Sequence, residues 1–238
     1  MLKFFTLDKF GYHLVVENVP TRISMSTKII VSITALLLLV GLVTYAAVEY
    51  RRSDDCLSLA DDPVRWNHLV SQWEKNNVVM VLRHASKCDI AEPTCINGNE
   101  ALTSQGRLEA KAIGLGVQSS LSGEYSVVHS YLDRTRDTAL LAFGTSTVDD
   151  ALAKPCKNTF TDYISTLGLG TNHILVTHSS CLDSLKRNDG GRLLGINTSK
   201  DPHFGIAAML ERKPDGKTEL IGCMWPTSWA DIQAVATR

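Results

Sequence analysis

The sequence has no excess of either charge: 24 Lys and Arg stand against 25 Asp and Glu. A net charge of −1 gives no electrostatic case for nucleic acid as a partner. Affinity for any anion must therefore come from a local basic pocket. No two of the six cysteines form a CxxC pair, which argues against a zinc ribbon or a thioredoxin-type site. GxSxG, HExxH, Walker and dinucleotide-binding signatures are all missing. Gly168-Leu169-Gly170 precedes a strand pattern instead of opening a helix, so it reads as a plain turn. There is no internal repeat and no low-complexity tract, and nothing calls for a cofactor or a metal.

What the chain does have is one long apolar run. Residues 29–48 read IIVSITALLLLVGLVTYAAV without a charge. At about 1.5 Å per residue, about 20 helical residues match the hydrocarbon thickness of a bilayer. Lys3, Lys9, Arg22 and Lys28 precede the run, whereas Arg51 and Arg52 follow it with Asp54 and Asp55 behind them. That bias places the N-terminus in the cytoplasm and the remainder outside. The competing readings are a buried core helix and a cleaved signal peptide; Thr44-Tyr45-Ala46 makes a poor cleavage site. Met25 is an alternative start that leaves the orientation unchanged. The expected organisation is a cytoplasmic segment 1–28, a signal anchor 29–48, a linker 49–62 and a globular domain 63–238. Localisation follows as single-pass in the inner membrane, with the domain on the periplasmic side.

Cys56, Cys88, Cys95, Cys156, Cys181 and Cys223 all follow the run. An even number in an exported domain points to disulfides. Cys88 and Cys95, separated by a short loop, are the expected pair, with buried free thiols as the alternative.

Beyond the linker, short apolar runs alternate with helical periodicity. Val78 to Arg83 is continuous, as in a strand covered on both faces. Helical spacing covers 64–75, 102–117, 133–143, 160–167 and 180–186. In 102–117, Thr103 is the expected N-cap and Leu108, Ala112 and Leu115 are the apolar positions. Further strands are expected at 125–130 and 173–178. A closing hairpin over 206–212 and 218–224 turns at Pro214-Asp215-Gly216-Lys217. Such alternation predicts an α/β fold, a three-layer sandwich around a mostly parallel sheet.

Three of these strands end in residues of one chemical kind. The first ends in Arg83-His84, the second in His129-Ser130 leading to Arg134, and the third in Thr177-His178. Ligands of open α/β sheets bind beyond the carboxyl ends of the strands. Two arginines and two histidines there make a phosphate pocket, because the guanidinium fork matches oxyanions.

Leu82-Arg83-His84-Ala85 with Asp89 resembles the first-strand signature of the histidine phosphatase (phosphoglycerate mutase-like) superfamily. Leu102-Thr103-Ser104-Gln105-Gly106 with Glu109-Ala110 resembles that family's LTxxGxxQA helix, with Glu for Gln. Ser130 to Ala139 resembles its SxxxRtxxTA motif, and Val176-Thr177-His178-Ser179 its second-histidine strand. The four motifs stand in the family's order.

The resemblance implies a phosphomonoesterase in which His84 forms a phosphohistidine while Arg83, Arg134 and His178 stabilise the transferring oxygens. Within the superfamily, an exported domain behind a single N-terminal span resembles the lipopolysaccharide core heptose phosphate phosphatase group, and the Cys88 and Cys95 spacing and short length fit small periplasmic members. That implies a phosphorylated small molecule or glycolipid headgroup as partner. The alternative is a membrane-tethered phospho-ligand binding or signalling protein with weak catalysis. The family's general acid is not assigned by the motifs: Ser179 follows His178, and between Phe143 and Leu167 the only acidic candidates are Asp149, Asp150 and Asp162, with no Glu. Arg136 is expected at the surface, His129 in a structural role, and Trp225 to Trp229 in core or rim packing.

Overall fold

The computed structural model describes residues 30, 32–44, 56–88, 101–153, 156, 159–185, 203–229 and 232. The chain forms two compact units, Met1–Glu49 and Tyr50–Arg238. In the first, residues 32–44 are helical, and Ile33, Leu36, Leu37, Leu42 and Val43 are exposed. No helix among the described residues is long and apolar enough to cross a membrane. Residues 29, 31 and 45–48 of the apolar run lie outside the described residues.

The second unit is built on a six-stranded sheet of order β3-β2-β4-β1-β5-β6. Its strands are β1 (Val78–Arg83), β2 (Tyr125–His129), β3 (Thr147–Val148), β4 (Asn172–Thr177), β5 (Ala207–Arg212) and β6 (Thr218–Met224). β3, β2, β4 and β1 run parallel, while β5 and β6 form an antiparallel hairpin on the edge of β1. β1 lies between β4 and β5 with all six residues buried, which is why its sequence is a continuous apolar run. The turn at 213–217 closes with Lys213 donating to the Lys217 carbonyl, 2.8 Å, and Gly216 at φ 82°.

Helices cover both faces. On one lie α1 (Pro63–Glu74), α2 (Ser104–Ser120) and α3 (Asp133–Phe143), where Leu69, Trp73, Ile113, Val117 and Ala139 pack with Met80, Leu82 and Val176. On the other, α4 (Thr159–Thr166) and the short α5 (Ser179–Leu182) bring Phe160, Ile164 and Leu182 against Val79, Val81 and Leu175. Trp229 is fully buried in the first core. Helix starts follow local chemistry. Asp62 accepts from the amides of Val64 and Arg65, both at 3.1 Å, with Pro63 in the first turn. Thr103 accepts from the Gly106 amide at 2.9 Å.

The inward face of α2 corrects the sequence expectation. Leu108 and Leu115 are exposed, and the helix buries Gly106, Ala110, Ile113, Gly114, Gly116 and Val117. Close backbone approach decided the orientation. A methyl on Gly114 would overlap the Ala142 carbonyl of α3, and one on Gly106 the Ser86 carbonyl. Leucines on that face would hold α2 away from the loop that follows β1.

Disulfides join Cys56 to Cys223 and Cys156 to Cys181, with Cα atoms 5.3 and 4.7 Å apart. The first fastens residues 56–59 to β6, where the Cys223 amide donates to the Leu57 carbonyl, 2.8 Å. Cys88 is also disulfide-bonded. Cys95, its expected partner, lies outside the described residues.

Candidate active site

The parallel ladder carries the site. Beyond the last residues of β1, the His84 amide donates to the Thr177 carbonyl at 2.9 Å, so the ladder continues into the residues that follow both strands. His84 and His178 then stand side by side, ring centroids 5.5 Å apart. Both are buried, as are Arg83 and Arg134. Arg134 sits in the first turn of α3, which packs against β2 and β4. The structure thus brings together the carboxyl ends of β1 and β4 and the start of α3.

His84 is set up as a neutral ring. Its Nδ1 lies 2.9 Å from the Ala85 carbonyl, which can only accept, so the proton is on Nδ1 and the lone pair on Nε2. Burial is the largest cause holding its pKa well below the ordinary 6.5; the bond to Ala85 works the other way, and the charges of Arg134, His178 and Arg83 depress it further. Ala85 is itself fixed. Its amide donates to Thr138 Oγ1 at 3.1 Å, and that hydroxyl donates to the Arg134 carbonyl at 2.7 Å. Thr138 therefore couples the histidine loop to the turn that carries Arg134.

Several partners of the site carry no signal of their own in the sequence. The Arg83 guanidinium carbon lies 4.2 Å from the centroid of the Phe204 ring, and that ring is 5.5 Å from His84. Burial lowers the Arg83 pKa and the charge of Asp183, just beyond α5, raises it. Only a contact between segments far apart in sequence reveals Phe204. Glu109 explains the departure from the family's Gln. Its carboxylate accepts from the Ser86 amide at 2.9 Å and from the Ser86 hydroxyl, fixing the loop after His84. Both bonds need an acceptor, which either residue type provides.

The remaining candidates are placed plainly. Arg136 is exposed and pairs with Asp133 and Asp137. His129 Nδ1 donates to the Ser130 carbonyl at 2.7 Å, a local structural bond. Of the three aspartates considered as acids, Asp150 and Asp162 are exposed. Asp149 caps the turn Asp150–Leu152 through the Ala151 amide at 2.8 Å and accepts from the Tyr163 hydroxyl at 2.9 Å.

A sheet of this order with a histidine after β1, another after β4 and an arginine opening α3 is the arrangement that the resemblance to the histidine phosphatase superfamily implies, and the chain is similar to phosphatases in fold and in sequence. Its fold matches the structure of the protein histidine phosphatase SixA complexed with tungstate: TM-score 0.50, 16% identity, 63% of this chain and 97% of that one. In sequence it is similar to the lipopolysaccharide core heptose(II)-phosphate phosphatases. It is 26% identical over 153 residues to that of Salmonella paratyphi B, covering 63% of this chain and 72% of the relative. The Salmonella typhi protein is 27% identical over the same length. No family model matches the chain.

Proposed function

We propose that the chain is a phosphomonoester hydrolase in which Nε2 of His84 attacks phosphorus. The P–N bond forms as the P–O bond to the leaving alcohol breaks, and water then releases inorganic phosphate from His84. Arg83, Arg134 and His178 hold the equatorial oxygens as charge redistributes. The observation that carries this is the state of His84: buried, neutral, its lone pair fixed on Nε2, and beside two buried arginines. A protein that only bound phosphate would need the arginines and not this histidine.

For the substrate we propose a phosphorylated sugar of an envelope glycolipid, because the relatives in sequence are heptose(II)-phosphate phosphatases. The apolar run 29–48 and its preceding cations support an anchor with the domain on the periplasmic side. The tests are separate. Labelled phosphate trapped during turnover should reside, acid-labile, on His84, and His84→Ala should abolish turnover; label on Ser, Asp or Cys would sink the mechanism. Heptose phosphates should be preferred in a panel of phosphomonoesters. Reporter fusions at Asp62 should be active only for a reporter that requires export; a cytoplasmic readout would refute the topology.

A further inference from the structure

Beyond His178 lies a chain of hydroxyls that ends on backbone carbonyls. His178 Nε2 is 2.8 Å from Ser130 Oγ, and Ser130 Oγ is 2.8 Å from Thr135 Oγ1. Thr135 Oγ1 is in turn 2.6 Å from the Leu132 carbonyl and 2.8 Å from that of Ser130. Ser130, Thr135 and His178 are all fully buried, so no solvent enters the proton count.

Carbonyls only accept, so the one hydroxyl proton of Thr135 goes to a carbonyl. Thr135 Oγ1 must then accept from Ser130, whose own proton is thereby used. Ser130 Oγ is left to accept from His178, which requires the proton to sit on Nε2. Three protons then serve all four contacts, the Thr135 proton being shared between its two carbonyls. The reverse order would leave either the two hydroxyl oxygens, or Thr135 Oγ1 and both carbonyls, in close buried contact with no proton between them.

We propose that Ser130 and Thr135 are positioning residues that fix the proton of His178 on Nε2, so that His178 exchanges its second proton at Nδ1. The two histidines then hold opposite tautomers, His84 protonated on Nδ1 and His178 on Nε2. Nucleophile and partner are each locked by a bond on the nitrogen they do not use. The consequence for turnover rests on the proposed phosphatase reaction; the proton position does not.

The test uses the full chain with ¹⁵N-labelled histidine, read in the neutral state of the rings. Wild type should show His178 with the hydrogen on Nε2. Thr135→Val removes the acceptor of the Ser130 proton. That proton should turn to Nε2, and the His178 tautomer should invert. Ser130→Ala should give a mixture, and Thr135→Ser should restore the wild-type spectrum. In both damaging variants kcat should fall roughly tenfold to a hundredfold with little change in KM. A wild-type proton on Nδ1, or an unchanged tautomer in folded Thr135→Val, would overturn the proposal. The expected tautomers without any phosphatase turnover would sink the reaction and leave the proton position standing.

Discussion

Buried arginines stand at both ends of the parallel strands, and their surroundings differ completely. At the amino end, Arg212 donates to the carbonyls of Leu167, Gly168, Thr171 and Asn76. Beside it Asn172 accepts from the Val78 amide and donates to the Trp73 carbonyl, so this end is closed by uncharged acceptors from its own backbone. At the carboxyl end, Arg83 and Arg134 gather around two histidines, and their charges help to lower the pKa of His84. Two buried cations around a neutral histidine suit the arrival of an anion. Burial and residue type are the same at the two ends. What separates a structural from a functional arginine is the chemistry of its neighbours.

Substitutions at each end should therefore fail in different ways. Arg134→Ala should lower kcat/KM about 10²–10³-fold, the usual worth of a group aimed at developing charge. Its melting temperature should stay near wild type, because the guanidinium it removes is buried at a desolvation cost. Arg212→Ala should do the reverse. It leaves several buried carbonyls unmet and should destabilise by about 3 kcal/mol, with kcat of the folded fraction unchanged. Urea unfolding and steady-state kinetics on both variants read the contrast directly. An Arg212→Ala enzyme that is stable but slow would break it.

A smaller effect belongs to the packing between the two ends. Replacing glycine by alanine inside a helix ordinarily stabilises by about 1 kcal/mol. Gly114→Ala should instead destabilise by about 1–3 kcal/mol, because the added methyl meets the Ala142 backbone and not a movable side chain. Thermal unfolding of this single variant checks the sign.

Much of this architecture was legible in the sequence. A strand buried on both faces must be apolar throughout, so β1 announced itself, and charged or titratable residues directly after such runs marked the carboxyl edge. The inward face of α2 was not legible, since periodicity counts apolar side chains and that contact is made by glycines. Phe204, the Cys56–Cys223 and Cys156–Cys181 pairs and the carbonyl cage of Arg212 join segments far apart in sequence. No local pattern reports contacts of that kind. Ser130 and Thr138 stood inside a recognised motif, yet their work is visible only through the atoms they touch.

The smallest expected effect concerns acid, and it belongs to the carboxyl end alone. In the unfolded chain His84 titrates near the ordinary value of about 6.5, whereas in the folded protein burial and the neighbouring cations hold it well below. Above about pH 6.5 the ring is neutral in both states and contributes no pH dependence. Below that, the unfolded chain binds a proton that the folded chain refuses, so stability falls as pH drops towards the folded pKa. The slope approaches about 1.4 kcal/mol per pH unit for one such group. Between pH 7 and about 5.5 the cost from His84 is then about 1 kcal/mol. His84→Gln carries no titrating ring and should lose that share of the acid sensitivity. Comparing urea unfolding of the two proteins at both pH values isolates the difference, because the other titrating groups cancel to first order. Identical pH dependence would mean that the folded enzyme accepts a proton at His84, and a nucleophile in that state would have no lone pair with which to attack.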